Sequence, residues 1–192
     1  MSFLKNLNIS LESSIKAKNC LPKQVSKIKE IVNEMVTCIK NGNKMFICGN
    51  GGSAADAQHI AAECLVRLNP KINRNPIPMI SLALDSSTMT ACANDYSFNN
   101  IFSRNLNALG NENDLLICLS TSGNSQNIIN VLKTANKKKI KSISLLGNKG
   151  GMAKKISDKV IIINSPSVAS VQEAQMFLGH FLISELEKEI LK

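Results

Sequence analysis

Residues 45–53 read Met45-Phe46-Ile47-Cys48-Gly49-Asn50-Gly51-Gly52-Ser53, and the change of character inside that stretch decides the fold. An apolar run this short, with no polar alternation, predicts a strand buried on both faces. The glycine-rich turn stops the strand, and a helical stretch begins at Ala54. Similar runs stand at Met79 to Leu84, Leu115 to Leu119, Ser142 to Leu146 and Val160 to Ile163, alternating with helical segments. Buried strands alternating with helices belong to a parallel sheet covered on both sides, so the expected fold is a doubly wound α/β sandwich.

Upstream, Val25, Ile28, Ile31, Val32, Met35, Val36 and Ile39 recur at helical spacing, with Pro22 just inside the start and Asn41-Gly42-Asn43 ending the pattern. Residues 1–19 carry a weaker helical pattern in Leu4, Leu7, Ile9, Leu11 and Ile15, suited to packing on a partner subunit as well as on the chain's own core. Val168 to Leu191 reads as one long helix, and residues 69–78, with Pro70, Pro76 and Pro78, as an extended surface loop. A length of 192 residues with 44% hydrophobic content suits one domain, divided into N-terminal helices (1–43) and a sandwich core with its C-terminal helix (44–192).

Composition narrows the function. No apolar stretch is long enough to span a bilayer, and Met1-Ser2-Phe3-Leu4-Lys5-Asn6 leads into alternating polar residues, so no membrane association and a cytoplasmic location are expected. Cys20, Cys38, Cys48, Cys64, Cys92 and Cys118 show no C-x-x-C spacing and sit mostly in apolar runs, which reads as reduced, buried thiols. The formal charge of +9 invites a nucleic-acid reading, but the lysines are dispersed and aromatic residues are only 4%, so no nucleic-acid partner is expected. The densest cluster, Lys137-Lys138-Lys139-Ile140-Lys141, falls where a helix should end and complements its dipole.

In an open parallel sheet, ligands bind beyond the carboxyl ends of the strands. Gly49-Asn50-Gly51-Gly52-Ser53 lets backbone approach a ligand closely, though it is neither a dinucleotide fingerprint nor a Walker loop, and a tight structural turn would look the same. Ser120-Thr121-Ser122-Gly123-Asn124-Ser125 follows a buried strand and opens a helix near Gln126. An ordinary N-cap needs one hydroxyl and this loop carries four, so hydroxyls and helix N-terminal amides together suggest a phosphate site. The two histidines of the chain are His59, which shares a helix face with Glu63 at i, i+4, and His180, eight residues after Gln172 on one face of the last helix. Imidazole and carboxylate at that spacing can hold zinc, and a glutamate can move a proton, although such a pair is also common as a surface hydrogen bond.

Taken together, Cys48-Gly-Asn-Gly-Gly-Ser-Ala-Ala-Asp-Ala-Gln-His59, Ala62-Glu63, Asn94-Asp95-Tyr96, Phe102-Ser103-Arg104, Ala108-Leu109-Gly110, Ser120 to Ser125 and Gln172-Glu173 resemble the sugar isomerase domain superfamily. Within it, the order and spacing resemble the sedoheptulose 7-phosphate (phosphoheptose) isomerases over nearly the whole chain. The resemblance implies a three-layer sandwich on a five-stranded parallel sheet with flavodoxin-like winding. It also implies a homotetramer with N-terminal helices in the interface and active sites between subunits. The implied reaction interconverts D-sedoheptulose 7-phosphate and D-glycero-D-manno-heptose 7-phosphate, toward nucleotide-activated heptose for bacterial surface polysaccharide. By the same resemblance Asn50, Gly51, Gly52, Ser53, Asn94, Asp95 and Gln172 contact the sugar, and Ser120, Thr121, Ser122 and Ser125 hold the phosphate. His59, Glu63, Gln172 and His180 match zinc ligands, and Glu63 with His180 matches the proton-transfer pair.

The chain departs from the family pattern at Ala169, where an acidic residue is common three before the glutamine, at Gln175, where a histidine is common, and at Val66-Arg67, where Gly-Arg is usual. Ala169 removes a polar contact and bears on which sugar is accepted. The rival expectation is a non-catalytic relative of the replication-initiator-associating type, which keeps the fold, binds a protein and lacks the glutamate and final histidine; Glu63 and His180 speak for the enzyme. A sugar-phosphate-sensing regulator would need a DNA-binding domain ahead of the sandwich, and the residues before the first strand show no helix-turn-helix pattern.

Overall fold

The computed structural model describes residues 2–83 and 85–192. Five strands form one all-parallel sheet: β1 (Met45–Gly49), β2 (Met79–Ser81), β3 (Leu115–Ser120), β4 (Lys141–Gly147) and β5 (Lys159–Ile163). Their order in the sheet is β2-β1-β3-β4-β5. This is the expected flavodoxin-like winding. The chain leaves β1 toward one edge and returns to β3 on its other side, so the topological switch point lies between β1 and β3.

Alternation along the strands separates two cores. Met45 and Ile47 of β1, and Leu115, Ile117 and Leu119 of β3, join one cluster with residues of α1 (Phe3–Lys18), α2 (Val25–Lys40), α3 (Gly52–Leu65) and α8 (Val168–Ile190). Phe46, Cys48, Leu116 and Cys118 point the other way, toward α4 (Ser86–Asp95), α5 (Ile101–Leu109), α6 (Gln126–Lys137) and α7 (Ala153–Ile156). Because both sheet faces are covered, strand residues are apolar throughout instead of every second position. The cysteines are all free and all but Cys20 are buried, as expected of small apolar fillers.

Several boundaries differ from those read in the sequence. The expected strand from Met79 closes after Ser81: Leu82 still donates its N–H to Ile47, but the chain then turns, and Leu84 lies outside the described residues. Pro22 opens a short 3-10 turn, Pro22–Gln24, that leads into α2 at Val25. The stretch 69–78 is not simply a surface loop, because Ile77 and the Arg74 side chain are buried in it. The first helix forms, but its apolar residues Phe3, Leu4, Leu7, Ile9, Leu11 and Ile15 are exposed on the single chain.

Helices α3 and α8 carry His59, Glu63, Gln172 and His180 between them. Both start at the carboxyl ends of strands and run the same way, with Gln172 against Gly52 at one level and Gly179 against Ile60 further along. A Cβ at Gly179 would stand 2.5 Å from the Ile60 Cδ1 atom, so the buried Ile60 side chain packs where a side chain at 179 would be. Gly179→Val should gain under about 1 kcal/mol in helix propensity. It should lose about 1–3 kcal/mol to overpacking. The expected net effect is a lower urea midpoint with an unchanged denaturant slope; an equal or higher midpoint would show that α3 and α8 are free to move apart.

Candidate active site

The loops after β1 and β3 lie side by side at the switch point and are joined by a reciprocal pair of amide hydrogen bonds. Asn50 Nδ2 donates to Asn127 Oδ1 at 2.9 Å, and Asn127 Nδ2 donates to Asn50 Oδ1 at 2.8 Å. Asn127 is buried, one residue into α6, and its Oδ1 also accepts the Ile128 N–H. Sequence reasoning missed Asn127; its one signal was a polar residue on the helical face otherwise occupied by Ile128, Val131 and Leu132. Gly51 takes φ 57° and ψ −121°, open to glycine and strained for other residues. Ser53 faces inward and is buried against Gly49, away from the mouth of the loop.

The hydroxyl loop is built to present donors. Ser120 Oγ accepts the Gly123 N–H at 3.0 Å, and Ser122 Oγ accepts the Asn124 N–H at 3.2 Å, which folds the loop back on itself. A hydroxyl that accepts in this way keeps its own hydrogen to donate. Ser125 occupies the N-cap position of α6 but its side chain makes no capping bond, so its hydroxyl and the first amides of α6, ahead of the Ile128 N–H held by Asn127, remain open to an anion. The loop after β4 supports this arrangement from behind: Ala153 N donates to Gly123 O at 2.8 Å, and Met152 N to Asn124 Oδ1 at 2.9 Å.

The second constellation lies along α3 and α8. His59 Nε2 is 3.0 Å from His180 Nε2 and 3.4 Å from Glu63 Oε1. One ligand atom from each of the three residues falls within 4.8 Å of the others, a geometry that could hold a metal ion. Two imidazole nitrogens and a carboxylate oxygen are donors that suit zinc. Gln172, the expected fourth ligand, stands two turns before His180, and its amide lies 2.7 Å from where a Cβ of Gly52 would be. It therefore belongs, in one chain, to the level of the β1 loop. Asn94 and Asp95 are exposed at the end of α4 and bond to each other at 2.8 Å; no hydrogen bond among the described residues joins them to either loop.

Between the two constellations an open groove of about 530 Å³ is lined by Lys18, Asp56, Ala169, Gln172, Glu173 and Met176. Glu173 is engaged by Ser14 and Lys18. Asp56 Oδ2 is buried with no hydrogen-bond partner among the described residues. Burial pushes the Asp56 carboxyl above its ordinary range, and the nearby His59 opposes the shift.

A sugar isomerase (SIS) domain is the class that this sheet, its switch-point loops and the hydroxyl loop define, and the SIS domain family profile matches residues 12–147. The chain is 41% identical over 191 residues to the phosphoheptose isomerase of Clostridium acetobutylicum, covering 97% of this chain and 96% of that one. It is 42% identical over 184 residues to that of Shewanella pealeana, covering 94% and 91%. A phosphoheptose isomerase structure from Francisella tularensis superposes with a TM-score of 0.92 at 34% identity, over 98% of this chain and all of that one. One from Neisseria gonorrhoeae gives 0.91 at 33%, over 97% and 100%. The chain belongs to the phosphoheptose isomerase family.

Two outcomes test the local architecture. Gly123 has φ 65°, and a Cβ there would stand 2.0 Å from the Gly150 carbonyl oxygen, so Gly123→Ala must displace the hydroxyl loop. The expected result is a KM for sugar phosphate raised about tenfold or more, the equivalent of 1.4 kcal/mol or greater, with kcat less affected; an unchanged KM would remove the loop from phosphate binding. Because the Asp56 carboxyl is raised on folding, it favours the fold below the ordinary carboxylate pKa, and that contribution is lost as pH rises through the raised value. Asp56→Asn should therefore raise the thermal midpoint at neutral pH relative to wild type and make little difference in acid; scans across pH decide it.

Proposed function

We propose that the chain interconverts D-sedoheptulose 7-phosphate and D-glycero-D-manno-heptose 7-phosphate with Glu63 and His180 as its proton-transfer pair. The observation that carries this reading is the convergence of those two side chains, from separate helices, beside His59. Moving the carbonyl between C1 and C2 needs a base that takes the proton from C1 and returns it to C2. It also needs a group that gives a proton to O2 and receives one from O1. Glu63 is the base and His180 the group serving the oxygens; the intermediate is an enediolate, and no net oxidation occurs.

His59, Glu63 and His180 would hold zinc, which supplies Lewis-acid polarisation of the carbonyl when bound. A carboxylate that coordinates a metal is a weaker base, so Glu63 performs one of these tasks at a time. Gln172, placed at Gly52, is kept for the substrate together with Asn50, Gly51, Gly52, Asn94 and Asp95. Ser120, Thr121, Ser122 and Ser125 hold the phosphate.

Glu63 lies eleven residues along α3 from Gly52, about 16 Å at the helical rise. An extended seven-carbon sugar phosphate spans roughly 9 Å from C1 to phosphorus, taking the zigzag advance of extended backbone. One substrate thus fits poorly between the hydroxyl loop and the proton-transfer pair of a single chain. Active sites shared between subunits of a homotetramer resolve the mismatch. The exposed apolar side of α1, and an apolar groove of about 410 Å³ that includes Pro22, Val25, Phe177 and Phe181, support such an assembly. No helix among the described residues is long and apolar enough to cross a membrane, and a cytoplasmic location is part of the same reading.

Purified protein given sedoheptulose 7-phosphate should form the aldose, with Glu63→Gln and His180→Gln each lowering kcat by about a hundredfold or more. Chelation should lower turnover and added zinc restore it, and metal analysis of the same sample should find zinc. Wild type without turnover would sink the enzyme reading, and unaffected turnover in both variants the mechanism. Co-expression of Glu63→Gln with Thr121→Val, each inactive alone, should regain activity in mixed oligomers if sites are shared; no regain would put each site within one chain.

A further inference from the structure

Arg74 lies in the irregular connection between α3 and β2, where a charged side chain would ordinarily reach solvent. Instead it pairs with Glu187 of α8, Nε to Oε1 at 2.7 Å, with both side chains only 1% exposed. Nη2 donates to the Glu63 carbonyl at 2.8 Å, and Nη1 donates to the carbonyls of Cys64 at 2.8 Å and Asn75 at 3.0 Å. Four of the five guanidinium donors are thereby used in a fixed fork. Glu187 also accepts the Leu68 N–H at 3.3 Å, so its carboxylate binds the connection at two points.

The carbonyls of Glu63 and Cys64 belong to the last turn of α3, which ends at Leu65, where intrahelical partners run out. That turn contains no basic residue of its own; Arg74 gives the Glu63 carbonyl a donor, gives the Cys64 carbonyl a second one beside the Ile77 N–H at 3.0 Å, and brings a positive charge to the negative end of the helix dipole. On the other side, Glu187 stands seven residues after His180, two turns along the same face of α8. One guanidinium therefore joins the backbone of Glu63 to the helix that carries His180. The last turn of a helix is where fraying begins, and a general base displaced by about 1 Å can lose about a hundredfold in rate.

The geometry points to Arg74 as the positioning residue of the isomerase: by tying the end of α3 to Glu187 it holds Glu63 in register with His180. This rests on the assignment of Glu63 and His180 as the proton-transfer pair. Arg74 touches neither substrate nor the reacting atoms and acts through the backbone of Glu63. Its removal should therefore slow chemistry in molecules that are still folded and still bind substrate.

Arg74→Lys keeps the charge, but donors on a single nitrogen cannot span a carboxylate and two carbonyls. Measured well below the thermal midpoint, its kcat per folded molecule should fall about tenfold or more while KM stays within about threefold. A purely structural role would lower the midpoint and leave kcat unchanged, and a folded Arg74→Lys with wild-type kcat overturns the proposal. If that variant does not fold, Glu187→Gln decides. It keeps shape and an acceptor on α8 but removes the charge, and kcat should fall several-fold at constant KM; wild-type kcat again overturns the proposal. Glu63→Gln is run alongside. Normal turnover there overturns the base assignment and this inference together, whereas lost turnover there with normal kcat in Arg74→Lys overturns this inference alone.

Discussion

The contact of α3 with α8 is the constraint on which the chemistry depends. His59 and Glu63 stand one turn apart on one helix, and His180 more than a hundred residues later on another, so their meeting requires two helices at a fixed separation. At their contact Gly179 leaves room for the Ile60 side chain. The sheet sets the direction: α3 follows β1 and α8 follows β5 in an all-parallel sheet, so both helices start at the same end and equivalent levels of the two face each other. Gln172 with Gly52, Gly179 with Ile60, His180 with His59, and Glu187 with the connection after Leu65 form a series of cross-links at successive levels.

The same arrangement separates two tasks. The proposed anion site is at the switch point, where amides and hydroxyls follow β3 and the Asn50–Asn127 pair joins α6 to the loop after β1. The proposed proton-transfer pair, Glu63 and His180, sits further along α3 and α8, and the apolar residues of α1 together with Phe177 and Phe181 are exposed on the single chain. A chain that placed both tasks within reach of one substrate would have no need of that surface. With the proposed sharing of sites between subunits, the distance along α3 and the apolar exposure have one explanation.

How much of this was legible in the sequence depends on which signals are local. The strands were readable because burial on both faces leaves continuous apolar runs, and even so the Met79 strand was read too long, since Leu82 stays apolar and buried where the chain already turns. The hydroxyl loop was readable because a helix start needs one cap and four hydroxyls stood there. Asn127 and Arg74 were not, because each gains its role from partners 77 residues away for Asn127 and 113 for Arg74. An arginine in a proline-rich connection looks like solvated surface until Glu187 is brought against it. Gln172 shows the reverse: its role as a metal ligand came with the resemblance, while its place beside Gly52 depends on the pairing of helices.

Buried ion pairs are poor evidence for stability, since desolvating two charges costs several kcal/mol and apolar replacements of similar volume are often neutral or stabilising. Arg74 and Glu187 are nonetheless buried in a region where leucine and isoleucine dominate the surrounding helices. What an apolar pair could not supply is direction. A guanidinium reaches two carbonyls at the end of α3 and a carboxylate on α8 with donors fixed in one plane. Packing alone would leave the end of α3 free to fray, and Glu63 stands in the last turn, two residues before the terminal Leu65. The ion pair is therefore better understood as holding geometry than as adding stability, and it is placed at the turn of α3 that carries the proposed base.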